Sequence, residues 1–327
     1  YYGRLAQSGE DLHRISYPAY AYVLLAPLRP LNNQAAIMLW MALQLPAAFV
    51  ALCLWAGLEQ RLTLTWVFVC LILALTWRYA ITIFLNAQFN ALLLVFYSAG
   101  LALLARRRDR WAGGVMAVSA LQPTLMAPIG LLQLGGLALR GRWRGLAAWL
   151  GVLLALTAIS IAVIGWWLPD WLNALAGYAS YQRHLTWVPQ RFGVLWFIAG
   201  LAFASLPLVR PCSLAGSYAL IVIGLLLILP QTGVYYLIAL LPVLLIALQR
   251  AVNRTGRRRW VVIVLAALCL AASWAFLPLD FEAAKLESLF MPLAVLGLFA
   301  SGSWPTSPRA QSSPSGAAHA GTPPVQP

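Results

Sequence analysis

The sequence is dominated by apolar runs that are about as long as a bilayer is thick. Ala35 to Gly57 and Gly145 to Leu168 are two of them, and neither contains a charged residue. A helix needs about 20 apolar residues to cross the ~30 Å hydrocarbon layer. Of the 327 residues, 62% are hydrophobic and 9% are charged, whereas a soluble domain carries about 25% charged residues. The chain therefore predicts an all-α fold, a polytopic transmembrane helical bundle.

We expect about 11 membrane-embedded helical segments. Nine predicted spans cover residues 35–57, 62–77, 81–104, 145–168, 193–209, 213–230, 234–249, 260–278 and 289–304. The run 111–139 is too long for one straight span and is interrupted by Gln122-Pro123. Proline removes a helical hydrogen bond and restricts the preceding residue. This run therefore predicts two short helices in a hairpin, with both flanking basic loops on one side of the membrane.

The sequence divides into three parts by composition. Residues 1–34 are mixed polar and aromatic and predict an extracytoplasmic loop with an interfacial helix. Residues 35–304 form the predicted transmembrane helical domain, which includes an outer loop at 169–192. Residues 305–327 are rich in Pro, Ser, Gly and Ala and predict a disordered cytoplasmic tail. The first residue is Tyr1, not Met, so we expect the chain to be truncated at its N-terminus.

The basic residues predict the orientation. The chain carries 22 basic and 8 acidic residues, a net charge of +14. Fifteen of the basic residues and two of the acids fall in the tail and in the loops 57–61, 105–111, 140–144, 210–212 and 250–259. Excess Lys and Arg marks cytoplasmic loops, so these loops are predicted to be cytoplasmic. The charge thus suits lipid headgroups, and we expect membrane lipids as partners and no nucleic acid.

Several function classes lack sequence support. The four cysteines are isolated in or beside apolar runs, with no CxxC pair and no Cys/His grouping. The sequence has no Walker loop, GxGxxG or HExxH motif. We therefore expect no metal and no cofactor. Three classes stay open: a lipid-linked transferase, a transporter or flippase of a lipid-linked molecule, and a non-catalytic membrane assembly protein.

The outer loop Pro169 to Phe192 is aromatic and carries Asp170, Arg183, His184 and Arg191. Aromatic faces suit sugar rings, and arginine forks suit phosphate. The alternative is an interfacial helix with an aromatic belt and snorkelling arginines. Asp170 also suits a helix cap.

Amides inside apolar segments form the second group of candidate site residues. Asn86, Gln88 and Asn90 lie in the string NAQFN, shortly after Arg78, and Gln122 lies at the predicted hairpin break. Polar groups at such depth line a site or join helices by hydrogen bonds. Gln122 also suits backbone groups that the break leaves unpaired.

These features resemble the GT-C superfamily of polyprenyl-phosphate-sugar glycosyltransferases, most closely glycosyltransferase family 87, from Tyr1 to about Leu248. The resemblance rests on Tyr17-Pro18, Ala87-Gln88-Phe89-Asn90, the stretch RRRDRWAGGVMAVSALQP, and Pro230 to Tyr236. Gln122 stands in place of the family's lysine, and Tyr235 in place of its histidine.

The resemblance implies a multi-pass enzyme of the cell membrane, a bacterial inner or plasma membrane. It would transfer a sugar, mannose, from a polyprenyl phosphate donor to a lipid or glycan acceptor on the extracytoplasmic face. The family's catalytic aspartate would lie upstream of Tyr1, which leaves Glu10, Asp11 and Asp170 as weak candidates within the chain. Donor phosphate and sugar binding would fall to Arg78, Gln88, Asn90, Gln122, Arg183, His184, Arg191 and Tyr235.

Overall fold

The computed structural model describes residues 18–86, 88–173, 187–228, 234–253, 255–275 and 281–303. These ranges contain helices and turns but no β-strand, so the predicted all-α fold is confirmed. The helices of the described ranges are α1 (Tyr20–Leu25), α2 (Asn33–Glu59), α3 (Leu64–Thr76), α4 (Arg78–Leu85), α5 (Asn90–Ala105), α6 (Asp109–Ser119), α7 (Met126–Ala138), α8 (Trp143–Ile164), α9 (Trp187–Val209), α10 (Leu214–Ile228), α11 (Leu241–Val252), α12 (Arg257–Ala275) and α13 (Phe281–Ser303). Shorter helical turns lie at Ala26–Leu28, 168–173 and Val234–Leu240.

Three helical stretches of the described ranges are long and apolar enough to cross a membrane, namely Asn33–Glu59, Trp143–Ile164 and Tyr235–Val252. The pair α3 and α4, bent by 59°, makes a fourth if it counts as one span. The other apolar stretches of the described ranges have 10–17 residues, for example Asn90–Ala105, Met126–Ala138 and Leu289–Ala300. The figure of about 11 membrane-embedded segments therefore stays a prediction.

Two predicted spans differ from the structure. Residues 81–104 were expected as one helix, but α4 ends at Leu85 and α5 begins at Asn90. The intervening string is rich in amides, which compete for backbone hydrogen bonds and favour turns. The last span was expected to begin at 289, whereas α13 begins at Phe281. Its extra turns include Glu287, whose buried charge is paired with an arginine, so this helix includes a charge that a hydrophobicity pattern excludes.

The helices differ strongly in exposure. Only 11% of the apolar stretch of α8 is buried, against 78% for Tyr235–Val252. Large side chains such as Leu154 and Val163 of α8 stand exposed. Soluble proteins rarely expose continuous apolar faces of this kind. In this membrane protein, α8 therefore faces lipid, while α10 and α11 form the centre of the bundle.

The predicted hairpin in 111–139 is confirmed. The chain breaks between α6 and α7, and the loops before α6 and after α7 meet. Arg142 donates hydrogen bonds to both carboxylate oxygens of Asp109, at 2.5 and 3.0 Å, and to the carbonyl oxygen of Leu104 at 2.9 Å. The two basic loops thus lie side by side, as the charge pattern required.

All five basic loops lie at one end of the bundle, which we name the basic end. Arg250 pairs with Glu59 at 3.0 Å, which joins the loops 57–61 and 250–259. Arg140 donates to the carbonyl oxygens of Pro207 and Arg210 at 2.6 and 2.8 Å, which joins 140–144 to 210–212.

The helices α2 and α5 join these groups of loops. Trp40 contacts Phe89 near their starts, and Trp55 and Tyr97 both pack on Tyr218 further along. The two helices therefore run in the same direction, and their C-terminal ends lie together. The other end of the bundle is referred to below as the opposite end.

Candidate functional site

The break between α6 and α7 contains a buried amide. Gln122 is 1% exposed. Its side chain lies near the Tyr236 hydroxyl, yet neither Oε1 nor Nε2 makes a hydrogen bond of normal geometry to a described residue. The neighbouring Thr124 hydroxyl shares a hydrogen bond of 2.9 Å with that tyrosine. An unpaired buried amide costs about 1–3 kcal/mol, so this site favours a ligand that can pair with it.

Tyr236 lies on the 3-10 turn Val234–Leu240, and a second buried amide borders this turn. Asn90 donates from Nδ2 to the carbonyl oxygen of Tyr235 at 3.3 Å. Its Oδ1 has no partner among the described residues. The rings of Tyr235 and Tyr236 lie 4.6 Å apart. The structure therefore brings three predicted site residues, Asn90, Gln122 and Tyr235, to one turn. The half-buried Gln88 lies two residues before Asn90.

Aromatic residues from α1 and from the end of α8 adjoin the break. The hydroxyl of Tyr20 donates to the carbonyl oxygen of Ala120 at 2.9 Å. Its ring meets Trp167 edge-on, with centroids 6.3 Å apart, and Trp167 in turn meets Trp171. Asp170 lies between these tryptophans in sequence, on the short helix 168–173, and is exposed. The start of the outer loop is thereby tied to the break at Gln122.

Arg78 lies at the bend between α3 and α4. Its Nη1 donates to Glu287 Oε1 at 2.8 Å and to the carbonyl oxygen of Ser273 at 2.7 Å. The Tyr79 hydroxyl donates to the same glutamate oxygen. Glu287 is fully buried and Arg78 is 8% exposed. Since α4 also packs against Val234–Leu240, this ion pair borders the turn that Asn90 and Gln122 contact.

Glu287 was not among the residues predicted for the site. The signal was present, because it is an acid close to an apolar stretch, and ionisable groups at such depth need a partner. Because Glu287 lies two residues before the predicted span 289–304, it was not predicted to be buried. Two atoms of this group, Arg78 Nε and Glu287 Oε2, have no hydrogen bond to a described residue.

Other predicted site residues lie outside the described ranges. They are Glu10, Asp11, Arg183 and His184. Arg191 lies within α9. Within the described residues, no group of three or more His, Cys, Asp or Glu side chains could hold a metal ion.

These observations define a polytopic α-helical membrane protein with a polar site around a broken helix, at the end opposite its arginine loops. The model of glycosyltransferase family 87 matches residues 16–230, about two thirds of the chain. The chain belongs to glycosyltransferase family 87 and is a membrane glycosyltransferase. Searches of curated proteins and of solved structures found no match. Tyr235, Tyr236 and Glu287 lie beyond the matched range.

Proposed function

We propose that the protein transfers mannose from a polyprenyl phosphate donor to a lipid or glycan acceptor on the extracytoplasmic face of the cell membrane, a bacterial plasma membrane. Family membership supports sugar transfer. The five basic loops lie at one end of the bundle, and excess arginine marks the cytoplasmic face. This supports the placement of the opposite end, with its polar site, on the extracytoplasmic face. We retain the division into an outer segment 1–34, a membrane domain 35–304 and a cytoplasmic tail 305–327 as part of this proposal.

The observation that carries the proposal is the pair of buried, incompletely bonded amides at the broken helix. Gln122 has two atoms that make no hydrogen bond of normal geometry to a described residue, although its side chain lies near the Tyr236 hydroxyl, and Asn90 has one such atom. An amide carries both donors and acceptors. It therefore matches sugar hydroxyls, which also do both, and its NH₂ group matches phosphate oxygens. The adjoining tyrosine pair offers flat rings for a sugar face.

The proposed chemistry is a single displacement with inversion. The acceptor hydroxyl oxygen attacks the anomeric carbon while the bond from that carbon to the phosphate oxygen breaks. The polyprenyl phosphate leaves with the bonding electrons, and a carboxylate takes the hydroxyl proton as general base. Negative charge grows on the leaving phosphate, which arginines stabilise.

We assign donor binding to Arg78, Gln88, Asn90, Gln122, Arg183, His184, Arg191 and Tyr235. Among the weak in-chain candidates for the base, Glu10, Asp11 and Asp170, the last has structural support. Asp170 follows Trp167, whose ring contacts Tyr20, and Tyr20 bonds to the backbone two residues before Gln122. An exposed carboxylate on the segment that these contacts tie to the break suits an acceptor that arrives from outside.

The test compares two buried glutamines. Purified protein in lipid nanodiscs is supplied with polyprenyl-phosphate mannose and a lipid acceptor, and transferred mannose is measured. Gln122→Leu should lower transfer about tenfold or more, because a lost hydrogen bond to the ligand costs roughly 1–3 kcal/mol. Gln133→Leu is the matched control, since Gln133 is equally buried and has an unpaired Oε1 but lies near the basic end.

Three results would contradict the proposal. Equal activity of the Gln122 and Gln133 variants would show that the buried amide of Gln122 does not bind the donor. Transfer from a soluble nucleotide sugar, with none from the polyprenyl phosphate, would show that the donor is not a polyprenyl-phosphate sugar. Translocation of a lipid-linked molecule without sugar transfer would favour the flippase alternative.

A further inference from the structure

A crevice at the basic end is lined almost entirely by arginines. Its volume is about 400 Å³, and its lining residues are Arg107, Arg108, Asp109, Arg110, Trp111 and Arg144. Small-molecule sites usually measure roughly 300–1,000 Å³. We propose that this crevice is a binding site for the phosphate headgroup of an anionic membrane lipid, separate from the sugar-transfer site at the opposite end.

The only acid in the crevice lining is already neutralised. Asp109 receives both of its hydrogen bonds from Arg142, at 2.5 and 3.0 Å. The hydrogen bonds from Arg142 lower the pKa of Asp109, and the nearby charges of Arg107 and Arg144 lower it further. None of the four lining arginines forms an ion pair with a described acid, since the pairs of the described chain are Arg78–Glu287, Arg142–Asp109 and Arg250–Glu59. Since Arg142 balances the charge of Asp109, the four exposed lining arginines leave the crevice with an excess of positive charge.

The helix starts beside the crevice increase this excess. Arg110 and Arg144 lie in the first turns of α6 and α8, where the helix dipole is positive and cations are unfavourable. Neither helix has a side-chain cap. The two starts are held together because Gly113 and Gly145 approach so closely that a Cβ on Gly113 would lie 1.9 Å from the Gly145 carbonyl oxygen. A lipid phosphodiester in the crevice, with its one negative charge, would offset part of this positive charge.

Arg107 adopts a conformation that suits glycine better. Its φ is 59°, and among the described residues no other non-glycine residue has a positive φ. The position ends α5, where Arg107 and Arg108 donate their N–H groups to the carbonyl oxygens of Leu104 and Leu103. Glycine is usual in such a helix end. Arginine is strained there, and the side chain of Arg107 lines the crevice.

The surroundings of the crevice favour a lipid over a soluble phosphate. Trp111 lines it and is 73% exposed, and Trp143, at the start of α8, is 60% exposed. Exposed tryptophans are typical of headgroup depth. Basic pockets between membrane helices on the cytoplasmic side bind anionic headgroups. The crevice therefore opens where lipid phosphates lie.

The test uses full-length protein in detergent, titrated with phosphatidylglycerol, with bound lipid counted by native mass spectrometry. The variant Arg110→Gln/Arg144→Gln should weaken binding roughly thirtyfold, at about fivefold for each arginine near an anionic surface. The matched control Arg61→Gln/Arg257→Gln removes the same charge from exposed arginines of other loops at the same end and should bind nearly as the parent does. Equal losses in both double variants would show an unspecific charge effect and overturn the proposal.

Arg107→Gly separates binding from folding. It removes a charge but relieves the backbone, so the melting temperature should stay constant or rise while phosphatidylglycerol binding falls about fivefold. Unchanged lipid binding in this variant would contradict the proposal. So would binding of inorganic phosphate as tight as that of phosphatidylglycerol, because the site would then recognise a soluble ion. Phosphatidylcholine should bind more weakly, since its headgroup carries no net charge.

Discussion

The two ends of the molecule use arginine in different ways. At the opposite end, Arg78 is buried against a fully buried Glu287. At the basic end, Arg142 and Arg250 pair with acids whose side chains stay 15% and 21% exposed. Water weakens the second kind of pair, whereas a buried pair is costly to break because the remaining charge has no solvent. Burial, more than the number of arginines, therefore decides how much each end contributes to stability.

The largest expected effect is at the opposite end. Glu287→Ala leaves the Arg78 charge buried without its partner, which should destabilise the protein by about 3–5 kcal/mol. Thermal unfolding in detergent, followed by intrinsic tryptophan fluorescence, measures the loss. Arg78→Met/Glu287→Leu is the control, because replacing both partners by apolar residues should restore much of the stability. If Glu287→Ala melts like the parent, this end does not depend on the pair.

The next effect concerns the helix crossing at the basic end. Gly113→Ala places a Cβ 1.9 Å from the carbonyl oxygen of Gly145, so α6 and α8 must separate. We expect a loss of about 1–3 kcal/mol, as for overpacking in a core. Gly114→Ala is the matched control, because its Cβ would meet only Val152 Cγ2 at 3.8 Å.

Gly114→Ala should be neutral or slightly stabilising, since alanine is the better helix former by roughly 1 kcal/mol. Both variants are compared by melting temperature in the same detergent. A Gly113 variant as stable as the Gly114 variant would show that the crossing is looser than the structure indicates.

The sequence predicted the coarse architecture well. The lengths of the apolar runs predicted the helices. The arginine-rich loops were predicted to lie at one end of the bundle, and the contacts of Arg140, Arg142 and Arg250 confirm this. The proline break and charge alternation together predicted the α6–α7 hairpin. The predicted boundary after residue 77 coincides with the break between α3 and α4 at Trp77. The second break, between Leu85 and Asn90, was missed because the amide-rich string lies inside a run that is otherwise apolar.

The candidate site was predicted in part. Asn90 and Gln122 were predicted from polar residues in apolar runs, and Tyr235 from the family resemblance. The structure brings all three to one 3-10 turn. Glu287 was missed because its partner Arg78 is 209 residues away in sequence. A long-range ion pair has no periodicity that a single sequence displays. The residues of 174–186 lie outside the described ranges, so their site roles stay predictions.

A smaller effect is expected from substitution of Arg140, which follows α7 and donates hydrogen bonds to backbone carbonyl groups. It donates to the carbonyl oxygens of Gly136, Pro207 and Arg210 at 2.6–2.8 Å. Arg140→Gln should cost about 1 kcal/mol, the usual worth of hydrogen bonds at an exposed site. Arg61→Gln is the control for charge, and it should leave the melting temperature unchanged. Equal melting temperatures would mean that these carbonyl groups are satisfied as well by water.

The smallest expected effect is the pH dependence of the pair between Asp109 and Arg142. Hydrogen bonds from Arg142 lower the pKa of Asp109 below its unfolded value. The pair therefore stabilises the fold above the unfolded pKa of about 4, and this contribution is lost as the pH falls through the lower, folded pKa. For a partly exposed pair we expect about 0.2–1 kcal/mol. A double-mutant cycle with Asp109→Asn and Arg142→Gln, run at neutral pH and again below about pH 3, isolates the pairwise term. The coupling should be present at neutral pH and shrink in acid, whereas a coupling that stays constant would show that packing, and not charge, joins these two loops.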